Sequence, residues 1–234
     1  MKYAEGWKPF FDRQEANLTR TLKTLEEKAD QMQVLPQRKQ IFRMFRLIPF
    51  ERVRVVLMGQ DPYPTWCPLT SIPYASGVAF MPSEGTQKKP KTVIELETEL
   101  CRDLGERTAQ TIDFAKWIHQ GVFLTNVALT VGTRCEGHLV NHRVLWELFS
   151  REFLQCLSDR GHVVFCFMGA EAWKLAEEVG SKTCRVVKVP HPVARSGEFQ
   201  GCSVYSKVNR ELAALGARPI TWSRRPPAGP PAWA

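Results

Sequence analysis

The sequence has little of what would mark a metalloprotein, a secreted disulfide scaffold or a membrane protein. Its seven cysteines (67, 101, 135, 156, 166, 184 and 202) form no C-x-x-C pair, and their odd number cannot close a complete disulfide framework. The five histidines do not supply the ligands those spacings lack, so no metal, iron-sulfur cluster or other cofactor is expected. No stretch approaches the ~18 apolar residues of a membrane span. The opening MKYAEGWKPFF lacks the apolar core of a signal peptide. These absences lead us to expect a soluble protein of a reducing, intracellular compartment with no membrane partner. Neither G-x-G-x-x-G nor a P-loop lysine pattern occurs, which argues against a nucleotide-dependent α/β enzyme. We find no internal repeat.

What is present is a chain of 234 residues, 44% hydrophobic, enough to bury the core of one domain. We set that domain at 1–222 and expect the Pro-rich end SRRPPAGPPAWA, from 223 to 234, to be disordered. Lysine and arginine exceed aspartate and glutamate, 32 against 24, and the net charge of +8 suits a polyanionic partner without naming one.

Residues 10–31 read as a helix with Leu18, Leu22 and Leu25 on one face. Short apolar runs at 52–58, 77–80, 121–126, 162–169 and 184–190 read as buried strands or strand ends. Helical patterns at 91–104 and 143–159 lie between them. Strand and helix in alternation predict a three-layer α/β fold, a central, mainly parallel four-stranded twisted sheet with helices on both faces. Polar residues follow the strand ends repeatedly, in GQDPYP, LTN, MGAE and PHP. In open parallel sheets ligands bind beyond the carboxyl ends of strands, so these loops are expected to share a crevice.

Two of those loops carry a specific resemblance. Gly59-Gln60-Asp61-Pro62-Tyr63-Pro64 resembles the G-Q-D-P-Y-H water-activating loop of the family 1 uracil-DNA glycosylases, and His191-Pro192-Val193-Ala194-Arg195-Ser196 their H-P-S-P-L-S loop. The likeness continues, in the family's order, through ASGVAF (75–80), GVFLTNVALTV (121–131), GCSVYSKVNREL (201–212), RPITW (218–222) and, weakly, GWKPFF. It implies cleavage of the N-glycosidic bond of uracil in single- or double-stranded DNA, with the base flipped out, as in base-excision repair. Such chemistry builds positive charge on the sugar and negative charge on the departing base.

By this resemblance Asp61 steadies the sugar and orients water, and a neutral His191 donates to uracil O2. Phe80 stacks on the base, Asn126 reads its O4 and N3–H, Tyr63 blocks the thymine methyl, and Gln60 completes the pocket. Pro90, Thr92, Gly169 and Ser196 are candidates for phosphate contact, and Arg195 stands where the family has its wedge leucine. The resemblance further implies a monomer in a compartment that contains DNA, the nucleus of a eukaryote or nuclear virus or the cytoplasm of a bacterium. A replication protein or a proteinaceous inhibitor is an expected further partner.

Proline follows Tyr63, TWCPLTSIPY is inserted after it, and Val193, Ala194 and Ala170 stand where the family has Ser, Pro and Ser. The P-Y-P and the loop arginine resemble the poxviral glycosylases, whereas Gln60 and LTNVALTV follow the main family. The alternative is a DNA-binding scaffold or polymerase processivity component. Keeping Asp61, Tyr63, Phe80, Asn126 and His191 together favours catalysis.

Overall fold

The computed structural model describes residues 3–105, 111–133 and 139–223; the expected tail lies outside them from residue 224 onward. The chain begins with α1 (Lys8–Arg13), α2 (Glu15–Glu27), β1 (Gln33–Leu35) and α3 (Arg43–Leu47), followed by β2 (Val55–Gly59). Then come α4 (Lys91–Asp103), α5 (Phe114–His119), β3 (Val122–Asn126), β4 (Val131–Thr133) and β5 (Leu139–Asn141). It ends with α6 (Arg143–Arg160), β6 (Val164–Met168), α7 (Ala170–Trp173), β7 (Arg185–Val189) and α8 (Val204–Ala214).

Four strands form the expected sheet in the order β3-β2-β6-β7, and every pairing is parallel. Strands β2, β3 and β6 are buried residue for residue, which is why they read as continuous apolar runs and not as alternation. The chain leaves β2 for β3 on one side and returns to β6 on the other. Loops after these strands therefore diverge and leave a crevice at their carboxyl ends.

Helices pack on the sheet through aromatic rings. The Trp7 ring lies 4.9 Å from that of Phe45, which lies 5.0 Å from that of Phe123 in β3, and the Trp7 indole N–H donates to the Ile48 carbonyl at 2.8 Å. The carboxyl-terminal segment is tied down by Trp117 Nε1–H donating to the Trp222 carbonyl at 2.8 Å and by Asn209 bonding both backbone groups of Ile220.

Three expectations change. The helix read at 10–31 is two helices, broken at Gln14, with Leu18 and Leu25 buried and Leu22 half-buried. GVAF at 77–80 is no strand, although Val78, Ala79 and Phe80 are buried. Its backbone is turned by Gly77 at φ 81° and Phe80 at φ 66°, and the Ser76 hydroxyl, donating to the Met81 carbonyl at 2.6 Å, closes the bend. Finally, a small antiparallel sheet in the order β1-β4-β5 flanks the crevice, built from segments too short to show a period in sequence.

Candidate active site

The crevice holds a cavity of about 480 Å³. Gln60, Asp61 and Tyr63 enter it from the loop after β2, and Asn126 from the last position of β3. Phe80, Thr92 and His191 complete the residues expected there from sequence. Pro90, Gly169, Arg195 and Ser196 do not line it. Pro90 is the N-cap of α4 and Gly169 that of α7, while Arg195 and Ser196 are exposed on the loop beyond His191.

Asp61 is set up as a carboxylate with one face occupied and one unoccupied. Its Oδ2 accepts from Gln60 Nε2 at 2.6 Å, and its buried Oδ1 has no protein partner. Burial raises its pKa above the ordinary carboxylate value; the Gln60 amide and the Arg143 charge oppose that rise, and Glu171 adds to it. Arg143 and Glu171 are themselves paired, from the first residue of α6 to the first turn of α7.

His191 is the complementary group. Its Nδ1 accepts from the Val193 backbone N–H at 3.3 Å, so the proton of a neutral ring sits on Nε2. Burial lowers its pKa, which keeps the ring neutral. Beneath it runs Gly169 at φ 91°, where a Cβ would come within 2.9 Å of the His191 Cβ. The Gly169 N–H is already given to the Val189 carbonyl at 2.9 Å.

Phe80, Asn126 and Tyr63 form a slot. Gly59 lies behind it, and a Cβ there would meet Asn126 Oδ1 at 2.6 Å and Phe80 Cζ at 2.9 Å. No described residue hydrogen-bonds the buried Asn126 side-chain amide, whereas its backbone is fixed opposite Gly59 in the β2–β3 register. The Tyr63 phenol donates to the Phe80 carbonyl at 2.8 Å and lies against the Thr92 hydroxyl; burial raises its pKa, so it stays protonated. Among the described residues, no three His, Cys, Asp or Glu side chains are grouped so as to hold a metal ion. The arrangement joins an aromatic slot and a buried side-chain amide to a carboxylate and a neutral N–H donor.

The profile of the Uracil DNA glycosylase superfamily matches residues 45–213. The chain belongs to that superfamily. It is 33% identical over 201 residues to a protein named uracil-DNA glycosylase from Acinetobacter baumannii, an alignment covering 84% of this chain and 81% of the relative. A namesake from Acinetobacter baylyi is 34% identical over 203 residues, covering 85% and 81%. Among solved structures, mimivirus uracil-DNA glycosylase superposes with a TM-score of 0.78 at 25% identity, covering 92% of this chain and 85% of that one. A mimivirus UNG variant in complex with UGI superposes with a TM-score of 0.79 at 25% identity, covering 92% and 87%.

Besides Arg143 and Glu171, two further residues of this superfamily member that bear on the site were not singled out in the sequence. Gly59 makes room for the slot, and its place just before Gln60 at a strand end was the available signal. Glu99 is fully buried in α4 and accepts from the backbone N–H groups of Gly201 and Ser203, the latter at 2.6 Å. It thereby fixes the far end of the His191 loop and the start of α8 to the helix that carries Thr92. Its signal was an acid three residues after Leu96 on the apolar face of α4.

The phosphate candidates on the loops have acquired other partners. The Ser196 hydroxyl donates to the Glu198 carboxylate at 3.0 Å, and Gly169 has spent its amide. Thr92 remains in the first turn of α4, where backbone N–H groups are unpaired within the helix.

Proposed function

We propose that this protein is a uracil-DNA glycosylase of the family 1 type, hydrolysing the N-glycosidic bond of uracil in DNA to leave free uracil and an abasic site. The observation that carries this reading is the pairing, across one cavity, of Asp61 with an unpartnered buried oxygen and His191 with a neutral Nε2–H. Bond cleavage needs an anion where the sugar becomes cationic and a donor where the base becomes anionic, both in place before reaction.

In this reading the flipped base slides over Phe80 and presents its edge to Asn126. An amide held in one orientation accepts from N3–H and donates to O4; cytosine would set a donor against a donor and leave buried polar groups unpaired. Tyr63 stands at C5 and Gln60 holds Asp61. As the bond lengthens, His191 Nε2–H donates to O2, and Asp61 steadies the sugar and orients water through Oδ1.

Thr92 at the start of α4, with Pro90, is assigned to the DNA backbone, as are Ser196, once its hydroxyl leaves Glu198, and the Gly169 turn, through close approach and not its spent amide; Arg195 is assigned to the gap left by the flipped base. The P-Y-P and H-P-V-A-R loops make it a variant with poxviral-like grip on a main-family pocket. We place it as one domain over residues 1–222, a monomer acting in an intracellular compartment that contains DNA. A proteinaceous inhibitor is the expected protein partner, as UGI is for mimivirus UNG. The test is release of free uracil from a uracil-containing oligonucleotide in the presence of EDTA, beside Asp61→Asn. Release by the wild type alone supports the reading; none from either strand form refutes it.

A further inference from the structure

We propose that Tyr74, on the inserted 65–76 loop, is a positioning residue for Tyr63 and sets how strictly the pocket excludes a substituent at pyrimidine C5. The inference rests on the glycosylase reading and concerns how its steric wall is held.

Tyr63 lines the cavity and is supported by a ring that does not, that of Tyr74. The rings of Tyr63 and Tyr74 meet edge to face, centroids 6.0 Å apart at 64°. Tyr63 and Trp66 also pack against Leu35, Ala75 and Val131, a small buried cluster separate from the main core that joins β1 and β4 to the loop. Tyr74 itself is only 6% exposed.

The insertion is a closed structure and not a slack excursion. Trp66 bridges to Pro73, the Cys67 N–H donates to the Ile72 carbonyl at 2.8 Å, and the Tyr74 N–H donates to the Thr65 carbonyl at 3.0 Å. On its other edge the Tyr74 carbonyl accepts from the Ser83 N–H at 3.0 Å, and Ala75 bridges to Pro82. Tyr74 is therefore fixed from both sides, and its ring stands behind the wall residue at the opposite end of the same loop.

The consequence follows from packing. A wall rejects a methyl group only as far as it resists displacement, and close-packed side chains resist because their neighbours have nowhere to go. The Tyr63 phenol is pinned to Phe80, and Tyr74, which does not line the cavity, is one of the groups the ring must push against to yield to a bulkier base. Removing the Tyr74 ring opens space beside Tyr63 without replacing any residue assigned to base reading or bond cleavage.

The test measures kcat/KM on one single-stranded sequence carrying uracil, 5-fluorouracil or 5-bromouracil, for the wild type, Tyr74→Ala, Tyr74→Leu and Tyr74→Phe. Dividing each variant by the wild type cancels the electronic effect of the halogen. Tyr74→Ala is expected to raise the 5-bromouracil-to-uracil ratio about tenfold, the low end of what one methylene-sized difference is worth in a pocket. It should leave the 5-fluorouracil ratio unchanged, because fluorine is scarcely larger than hydrogen. Tyr74→Phe should retain the wild-type ratio and Tyr74→Leu should fall between, which keeps the test decisive if the alanine variant does not fold. Equal losses on all three bases, with ratios unchanged, would mean that Tyr74 only stabilises the fold and would overturn the inference. A wild type that releases none of the three overturns the glycosylase reading itself, a different failure.

Discussion

The phenol of Tyr63 donates a 2.8 Å hydrogen bond to the main-chain carbonyl of Phe80, whose own φ is 66°. The proposed wall and stacking platform are thus tied together, and the bond helps hold a backbone conformation that non-glycine residues seldom adopt. Tyr63→Phe should cost about 0.5–1.5 kcal/mol of transition-state stabilisation, the usual worth of one such bond, and so at most about tenfold in kcat/KM for uracil. Tyr63→Ala should release thymine above background while losing far more uracil activity. Wild-type uracil rates for Tyr63→Ala would dissociate this residue from the pocket.

Asp61→Asn separates chemistry from stability. The cleavage rate should fall by several decades, as loss of a focused charge contribution requires. The fold should nonetheless melt a few degrees higher at neutral pH, because a half-buried carboxylate with an unpartnered oxygen opposes folding. The sign follows from linkage: a carboxyl whose folded-state pKa is raised destabilises the ionised protein above that pKa and ceases to do so as pH falls through it. The melting advantage should therefore shrink toward acid, and a variant that melts lower than the wild type at every pH would contradict the assignment.

The acid limb of kcat/KM should lie above the ordinary aspartate value, since in the proposed mechanism Asp61 must be ionised and burial raises its pKa. Arg143 favours the carboxylate and Glu171 opposes it. Arg143→Gln should accordingly move the limb to higher pH and Glu171→Gln to lower pH. The lowered pKa of His191 has burial as its cause, so a limb owned by that ring would not answer to these two charges. pH profiles of the three proteins decide between the residues.

Gly59→Ala tests the slot from behind. The added Cβ would sit 2.6 Å from Asn126 Oδ1 and 2.9 Å from Phe80 Cζ, both of which must shift. A misplacement approaching 1 Å near reacting groups costs on the order of 100-fold, so kcat/KM should fall by about that factor with DNA binding retained. Unchanged kinetics would show that the slot tolerates displacement.

Arg195 is exposed and engages no described residue. As a wedge it should matter more on duplex than on single-stranded uracil substrates, and Arg195→Leu should restore much of what Arg195→Ala loses. If the arginine only attracts phosphate, both variants should lose alike and lower the salt slope by about one. Rates on the two substrates across salt concentrations distinguish these outcomes.

The sequence by itself determined the parallel sheet and which strand-end residues share its crevice. Fully buried strands must be written as unbroken apolar runs, so β2, β3 and β6 announced themselves, while β7, half-exposed at the sheet edge, was marked by its valines alone, and a parallel sheet gathers all its carboxyl ends on one edge. That made it legible that Asp61, Asn126 and His191, more than a hundred residues apart at the extremes, share one crevice. What only the tertiary structure decided lies between the strands. GVAF has a strand's composition, but its hydrogen bonds go to Ser76 and β3 and its glycine and phenylalanine turn left-handed, none of which an apolar run reveals. The tautomer of His191, the unpartnered oxygen of Asp61, the Arg143–Glu171 pair beside it and the Tyr74 ring behind Tyr63 are likewise relations between segments distant in the chain or folded back on themselves. Local sequence encodes periodicity and turn chemistry, whereas which polar atom is left without a partner, and which ring backs which, is fixed only when the whole core has packed.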